Sequence, residues 1–230
     1  MGRRSRHDVL TTIKAGGLVP VVRASSAETA LRVADALVAG GIRTIEITMT
    51  VPDALSAIRS VSSRFGADVL VGAGTVTDDA MAHGALEAGA EFIVTPCLVP
   101  DVIAEAQKHD VAIMPGALSP TEVFSAWHLG GDIVKIFPAS HVGGASYLKA
   151  LKGPFPQIEL CPTGGVNLET IGGFFEAGAV AVGVGGELVL KSAIQSGEYG
   201  RISDLAREYV AAVARARDEK GTGPVSSAGR

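Results

Sequence analysis

Short apolar runs alternate with alanine-rich amphipathic stretches along most of the chain. Apolar runs closed by Gly or Pro are typical of buried strands, and the stretches between them repeat apolar residues at helical spacing. The predicted strands begin near residues Leu18, Thr44, Val69, Phe92, Val111, Ile133, Ile158 and Val180. The predicted helices include 27–38, 53–65 and 101–108, with a short helix over 8–15 and a longer one from about 201 to 217.

Glycine marks the boundary between helix and strand at four places. The segments 39–41, 88–90, 129–131 and 177–179 each contain a glycine directly before a predicted strand, as expected where a helix ends. Their glycines (Gly40, Gly89, Gly130 and Gly178) lie 49, 41 and 48 residues apart, intervals of about two βα units. Eight strands, each followed by a helix, predict an α/β fold of the (β/α)8 TIM-barrel type.

We predict one domain over residues 1–220, in which the short N-terminal helix covers the bottom of the barrel and the longer C-terminal helix completes it. The tail 221–230 is rich in Gly, Ser and Pro and is predicted to be disordered. An open doubly wound sheet is the competing architecture. The first βα turn lacks a Gly-x-Gly-x-x-Gly motif, which weakens that alternative.

Alternation within the strands places three charged side chains on inward faces. In the second strand Ile45 and Ile47 share one face, and Glu46 lies on the opposite face. Because helices cover the outside of a barrel, the apolar face is expected to face them and Glu46 to face the axis. By the same alternation Arg23 ends the first strand, and Lys135 lies in the sixth. Barrel active sites lie at the carboxyl ends of the strands.

Lys135 lies in the apolar segment 133–138. Burial disfavours the charged form of a lysine, and a neutral amine is a nucleophile that forms Schiff bases. Two structural readings compete: Lys135 extends to solvent, or it forms a buried ion pair with Glu46. Several charges inside one barrel are costly unless they are paired or functional. We therefore favour catalysis, with Glu46 both holding Lys135 and moving protons.

Two glycine-rich turns end the last two predicted strands. They are Pro162-Thr163-Gly164-Gly165-Val166-Asn167 and Gly183-Val184-Gly185-Gly186. Backbone N–H groups at such turns bind anions, and the turns after strands 7 and 8 of a barrel often form a phosphate site. Alternatively, the glycines only make tight turns. Two adjacent turns favour a phosphorylated small-molecule substrate.

Composition excludes several other functions. The chain has 230 residues and a net charge of -4, which argues against nucleic-acid binding. No apolar run reaches the ~20 residues that span a bilayer, and no apolar segment follows the basic N-terminus as in a secretory signal. We expect a cytoplasmic protein that does not bind membranes.

Metal and thiol chemistry are weaker readings of the sequence. The histidines show no ligand spacing; they are His7, His83, His109, His128 and His141. Cys97 and Cys161 are expected to be small buried groups rather than nucleophiles. Trp127 is expected in the core.

Seven segments, in order along residues 10–215, resemble the bacterial 2-keto-3-deoxy-6-phosphogluconate (KDPG) and 4-hydroxy-2-oxoglutarate aldolases. They are Val19-Pro20-Val21-Val22-Arg23, Ile45-Glu46-Ile47-Thr48, Gly72-Ala73-Gly74-Thr75-Val76, Val94-Thr95-Pro96, Met114-Pro115-Gly116, Val134-Lys135-Ile136-Phe137-Pro138-Ala139 and Cys161-Pro162-Thr163-Gly164-Gly165-Val166. The resemblance implies a class I aldolase of the Entner-Doudoroff pathway that needs no metal or other cofactor and forms a homotrimer.

The resemblance also implies a role for each site residue. Lys135 would form the Schiff base and Glu46 would transfer protons. Substrate would be bound by Arg23, Thr75 and Pro96 at the pyruvyl carboxylate, by Phe137 and Thr163 nearby, and by Gly164, Gly165, Gly185 and Gly186 at the phosphate. The chain departs from the family at Thr50, where some members have arginine, and at Gly186, where many have serine.

Three alternatives remain open from the sequence. A phosphogalactonate-type aldolase would act on the C4 epimer of the substrate. A phosphate-binding-barrel isomerase or epimerase would use acid–base residues without an imine. A sugar-phosphate sensor would keep the fold without turnover, and the presence of both Glu46 and Lys135 argues against it.

Overall fold

Parallel strands and helices alternate along residues 4–218, the part of the chain that the computed structural model describes. The strands are β1 (Leu18–Val22), β2 (Thr44–Thr48), β3 (Leu70–Gly74), β4 (Phe92–Val94), β5 (Ala112–Met114), β6 (Gly116–Ala117), β7 (Val134–Ile136), β8 (Leu160–Pro162) and β9 (Val182–Val184). The predicted tail 221–230 lies outside the described residues.

The helices follow the predicted stretches within a few residues. They are α1 (Arg6–Gly16), α2 (Ala27–Ala39), α3 (Ala54–Phe65), α4 (Asp79–Glu87), α5 (Pro100–Lys108), α6 (Pro120–His128), α7 (Gly144–Lys152), α8 (Ile171–Glu176), α9 (Lys191–Ser196) and α10 (Tyr199–Asp218). Local sequence explains several of their starts. Ser26 and Asp78 accept hydrogen bonds from backbone amides of α2 and α4, and Ser119 forms a capping box with Glu122.

The strands form two curled parallel sheets. One has the order β5-β4-β3-β2-β1-β9 and the other the order β6-β7-β8. The predicted fifth strand is interrupted between β5 and β6 at Pro115, which has no amide hydrogen to donate to a ladder. The carbonyl of Pro115 still accepts a hydrogen bond from the Lys135 amide at 2.9 Å. The parallel α/β class is confirmed, and each predicted strand start lies within two residues of an observed strand.

Two apolar clusters lie on the two sides of the strands. The larger one, with Ile45 and Ile47, packs between the strands and the helices. The smaller one lies on the opposite side and joins Val9 and Ile13 of α1 to strand residues. Burying a side chain such as Ile13 stabilises the fold by about 1.5–3 kcal/mol. The predicted facing of β2 and the placement of α1 at the amino-terminal ends of the strands are confirmed.

Two side chains expected inside the protein lie at its surface. Trp127 is 36% exposed, and it packs at the surface against Phe124, whose ring centroid is 6.0 Å away. Cys97 is also exposed, because it follows β4 in a loop rather than within the strand. Both predictions were wrong, and Cys161 is buried as expected.

Within residues 4–218, none of the helices combines the length and the apolar character required to cross a membrane.

Candidate active site

Lys135 and Glu46 meet although they lie on different sheets. Lys135 is the middle residue of β7 and Glu46 the middle residue of β2; they are 3% and 2% exposed. The Nζ of Lys135 lies 3.9 Å from the Oε1 of Glu46. Strand alternation turns both side chains away from the helices. The structure therefore confirms that the two predicted charges converge.

The Glu46 carboxylate has an unusual environment for a buried acid. Its Oε1 accepts no hydrogen bond from any group within residues 4–218. Leaving such an oxygen unpaired costs about 1–3 kcal/mol, and more when the group is charged. Buried polar atoms without partners are rare in folded proteins. The oxygen is thus available to a substrate hydroxyl or a water molecule beside the amine.

Glycine at position 74 makes room for this carboxylate. A Cβ at Gly74 would overlap the Oε1 and the carboxyl carbon of Glu46, because β2 and β3 pair with Glu46 opposite Gly72. The glycine-rich end of β3 lets the Glu46 side chain lie across the neighbouring strand. Thr75 follows directly, half-buried and with a φ of 58°.

Besides Glu46, Lys135 has an aromatic ring and a thiol as neighbours. Its Nζ lies 5.3 Å from the ring centroid of Phe137, the next residue on the same face. Cys161 is opposite Lys135 in the register of β7 and β8. Burial raises the pKa of the Cys161 thiol to about 12, although the nearby Lys135 acts in the opposite direction. Cys161 is therefore a neutral thiol at physiological pH and Lys135 the nucleophile candidate.

The loop with Pro96 is held against the opposite strand by Thr95. The buried Thr95 Oγ1 donates to the Cys97 carbonyl at 2.6 Å and accepts from the Gly116 amide at 2.9 Å. Gly116 pairs with Lys135, and a Cβ there would overlap the backbone of Pro96 and Cys97. The structure thus places the half-buried Pro96 in a loop against Gly116 of β6, the strand that pairs with the strand of Lys135.

The two glycine-rich turns are neighbours. Thr163, at the end of β8, is bridged to Gly183 of β9. Gly164 and Gly165 have φ of 89° and 75°, which an L side chain rarely adopts. The amides of Gly165 and Gly186 donate no hydrogen bond to an acceptor in the described part of the chain. Free amides at adjacent turns form a site for an anion.

A pocket of about 460 Å³ opens beside the second of these turns, at Gly186. Arg23, after β1, lines it together with Gly186, and a Cβ at Gly185 would lie 3.6 Å from the Arg23 Nη1. Its polar side chains are Arg23, Ser25, Thr50, Lys191 and Gln195. A volume of this size fits a small metabolite.

The sequence reasoning missed Lys191 and Gln195. Both lie on α9, which follows the turn at Gly185 and Gly186. Four-residue spacing puts them on one face of the helix, and this spacing was the signal available in the sequence. Lys191 adds a second positive charge to the pocket that Arg23 lines.

Fold and site together define a parallel-strand α/β protein with a buried amine–carboxylate pair and a pocket lined by Arg23 and Lys191. A family model described as "KDPG and KHG aldolase" matches residues 9–205. The chain belongs to this aldolase family.

Similar proteins come from several bacteria. The 2-dehydro-3-deoxy-phosphogluconate aldolase of Dickeya dadantii is 37% identical over 209 residues, covering 91% of this chain and 96% of its own. The KHG/KDPG aldolase of Escherichia coli K12 is 35% identical over 208 residues, covering 90% and 96%.

Solved structures agree with these matches. The KDPG aldolase of Legionella pneumophila has a TM-score of 0.80 at 33% identity, covering 86% of this chain and 96% of its own. That protein was captured with pyruvate as a covalent carbinolamine intermediate at low pH. A Pyrococcus furiosus thiamine phosphate pyrophosphorylase, with a TM-score of 0.66 at 15% identity, shares the fold alone.

Proposed function

We propose that this protein is a class I aldolase that cleaves KDPG to pyruvate and glyceraldehyde 3-phosphate through a Schiff base on Lys135. The observation that carries the proposal is the buried pair, with the Lys135 Nζ 3.9 Å from an unpartnered oxygen of Glu46. The names of the relatives, which are KDPG and KHG aldolases, support the same reaction and its place in the Entner-Doudoroff pathway.

The site implies that the two sheets close into one eight-stranded barrel, with β5 and β6 as two parts of one strand. Parallel bridges between Leu160 and Ala179 and between Thr163 and Gly183 support closure between β8 and β9. The hydrogen bond from the Lys135 amide to Pro115, where β5 and β6 meet, supports the join on the other side. A closed barrel brings Glu46 and Lys135 to one interior.

The first half of the reaction forms the imine. The neutral amine of Lys135 attacks the C2 carbonyl of the keto acid, and the amine proton passes to the carbonyl oxygen to give a carbinolamine. A proton delivered to the hydroxyl by Glu46 or a water then lets it leave as water and gives a protonated imine. The apolar ring of Phe137 and the neutral thiol of Cys161 beside Lys135 keep water and competing ions from the amine.

The second half breaks the carbon–carbon bond. Glu46 accepts the proton of the C4 hydroxyl, directly or through a water, and the C3–C4 electron pair moves into the imine to form an enamine. Glyceraldehyde 3-phosphate leaves. Protonation of the enamine at C3 and hydrolysis release pyruvate and restore Lys135. General base catalysis of this kind contributes ~10²–10⁴-fold to the rate.

The anionic ends of the substrate fit two groups of residues. Thr75 and the Pro96 loop are proposed to hold the pyruvyl carboxylate. Thr163 is proposed to contact the part of the substrate between this carboxylate and the phosphate. The free amides of Gly165 and Gly186, with Gly164 and Gly185, are proposed to hold the phosphate.

Two cations supplement these amides. Arg23 and Lys191 line the pocket that Gly186 also lines, which favours the phosphate as their partner over the carboxylate that the resemblance implies for Arg23. Glu187, the next residue in the turn, lines a separate cleft with Arg201 and Leu205 and is not among the residues that line the pocket. Gly186 stands where many family members have serine, and Thr50 where some have arginine. The positive charges of Arg23 and Lys191 compensate for these two missing side chains.

A second substrate, unphosphorylated 4-hydroxy-2-oxoglutarate, is favoured by the name of the Escherichia coli relative, a KHG/KDPG aldolase. It has the same keto acid and C4 hydroxyl but no phosphate. The galactonate epimer and an imine-free isomerase are the alternatives that the assay below separates.

We also infer a homotrimer located in the cytoplasm. Exposed apolar side chains on and after α6 support a subunit interface there: Phe124, Trp127 and Leu129 are 43%, 36% and 40% exposed. Light scattering on the purified protein tests the assembly, and a monomeric mass would contradict it.

Borohydride reduction in the presence of pyruvate tests the imine. We expect one reduced pyruvyl adduct per chain, mapped to Lys135 by peptide mass spectrometry, and none in Lys135→Arg. Pyruvate release, measured with lactate dehydrogenase, should be fastest with KDPG among KDPG, its C4 epimer and 4-hydroxy-2-oxoglutarate. Turnover without an adduct would establish an imine-free mechanism, and an adduct at another lysine would refute the assignment of Lys135.

A further inference from the structure

Two surface helices away from Lys135 present metal-ligating side chains to each other. His83 and Glu87 lie four residues apart on α4, and Glu105 and His109 lie four residues apart at the end of α5. Residues at this spacing share one helix face. The two helices pack side by side, so the pairs face each other although the histidines are 26 positions apart in the sequence. Sequence spacing alone did not show this cluster.

The three ligand atoms are already close to the spacing that a metal requires. The Glu105 Oε1 lies 2.9 Å from the His109 Nε2 and 3.4 Å from the His83 Nδ1. All three atoms lie within 4.8 Å of one another. Tetrahedral coordination with bonds of ~2.0–2.1 Å places neighbouring ligand atoms roughly 3.3–3.5 Å apart. Small rotations of the side chains therefore complete the geometry.

The surrounding residues support ligation. The other nitrogen of His83, Nε2, lies 3.4 Å from the Glu87 carboxylate, and histidine ligands in metal sites commonly donate their second N–H to a carboxylate. Lys108 pairs with the Oε2 of Glu105 at 3.3 Å, which leaves Oε1 directed at the histidines.

Glu105 is the most buried of the three proposed ligands. Its side chain is 13% exposed, whereas those of His83 and His109 are 52% and 34% exposed. The carboxylate forms the base of the cluster, and solvent reaches the histidines.

We propose that His83, Glu105 and His109 bind one divalent transition-metal ion of the zinc class, with the remaining coordination position open to water. Two imidazoles and one carboxylate suit Zn²⁺, Co²⁺ or Ni²⁺. The ion ties α4 to α5, the helices that follow the loops of Thr75 and Pro96, and so stabilises that side of the fold without taking part in the aldolase reaction.

Metal titration of the full chain tests the proposal. After treatment with EDTA and removal of the chelator, calorimetry with Zn²⁺ should show one ion per chain with a micromolar Kd. Saturating Zn²⁺ should raise the melting temperature, because a ligand that binds only the folded state stabilises it. Co²⁺ should give the visible absorption of a site with nitrogen and oxygen ligands.

Four variants assign the site. His83→Gln and His109→Gln should each weaken Zn²⁺ binding at least 10-fold, and the matched surface variant His128→Gln should leave it unchanged. Lys108→Gln removes the positive charge 3.3 Å from Glu105, which repels a cation, and should tighten binding several-fold; a cluster that serves only as a hydrogen-bonded link between helices predicts no such gain. Absence of stoichiometric binding, or equal binding by wild type and His83→Gln, would overturn the proposal.

Discussion

The Nζ of Lys135 lies 3.9 Å from the Oε1 of Glu46, and that oxygen accepts no hydrogen bond from residues 4–218. A pair kept only for stability would be expected to satisfy both partners, because a buried ion pair offsets its desolvation only with good geometry and further hydrogen bonds. This pair leaves one carboxylate oxygen open beside the amine. The geometry favours the catalytic interpretation over a structural ion pair.

Glu46→Gln should separate proton transfer from imine formation. The amide keeps the size of the side chain but cannot accept the C4 hydroxyl proton, so kcat for KDPG should fall by ~10²–10⁴-fold. Borohydride should still trap pyruvate on Lys135, since the amine remains. Glu159→Gln, which removes a half-exposed carboxylate paired with Lys14, is the matched control. Near-normal turnover of Glu46→Gln would exclude Glu46 as the base.

Gly74→Ala should impair catalysis although it replaces no reactive group. The added methyl would overlap the Glu46 carboxylate, which must then move away from Lys135, and we expect kcat to fall at least ~10-fold since orientation contributes strongly to rate. Gly172→Ala, with open space around its Cβ, should keep full activity and gain about 0.5–1 kcal/mol of stability within α8. Steady-state kinetics and thermal unfolding of both variants measure the difference.

Lys191→Met should reveal the phosphate end of the pocket. A hydrogen bond to a charged group contributes about 1.5–3 kcal/mol, so KM for KDPG should rise ~10–100-fold, whereas KM for 4-hydroxy-2-oxoglutarate should stay the same. The exposed Lys149 of α7 provides the control, Lys149→Met. An equal rise for both substrates would mean that Lys191 does not bind the phosphate.

The two cysteines should differ sharply in reactivity. Because burial raises the pKa of Cys161 to about 12, only about one thiol in 10⁴ is ionised at pH 8, and thiolate is the reactive form. Iodoacetamide should modify the exposed Cys97 in the native protein and reach Cys161 only after unfolding. Rapid labelling of Cys161 in the native protein, detected by mass spectrometry, would contradict its burial and its raised pKa.

The raised pKa of Cys161 also predicts that the protein loses stability at alkaline pH. The folded-state pKa of Cys161 lies above its ordinary value of 9.0, so the stabilisation from burying the neutral thiol is fully present below pH 9. It should decline as the pH rises from 9 towards 12, where the unfolded chain releases a proton that the folded chain retains. We expect the free energy of unfolding, measured with urea at each pH, to fall less steeply with pH for Cys161→Ala than for the wild type.

The local pattern of apolar, polar and glycine residues was enough to predict most of the strands and helices. The period of two in β2 placed Glu46 on the face opposite Ile45 and Ile47, and glycine marked the helix ends. Gly89, Gly130 and Gly178 have φ between 96° and 103°; at the first helix end Gly40 has a φ of -82°, and the positive φ falls on Gly41. These features follow from backbone geometry within a few residues, so they can be read along the chain. Trp127 and Cys97 were misplaced because helix and loop positions do not reveal what packs over them.

The sequence by itself determined the parallel α/β class, the inward faces of β2 and β7, and the residue types for imine chemistry. Only the tertiary structure decided which side chains meet: Lys135 with Glu46 across two sheets, Lys191 with Arg23 at one pocket, and His83 with His109 across two helices. Periodicity describes the direction of a side chain relative to its own backbone. Distances between elements depend on sheet curvature and helix packing, which are set by contacts summed over the whole fold.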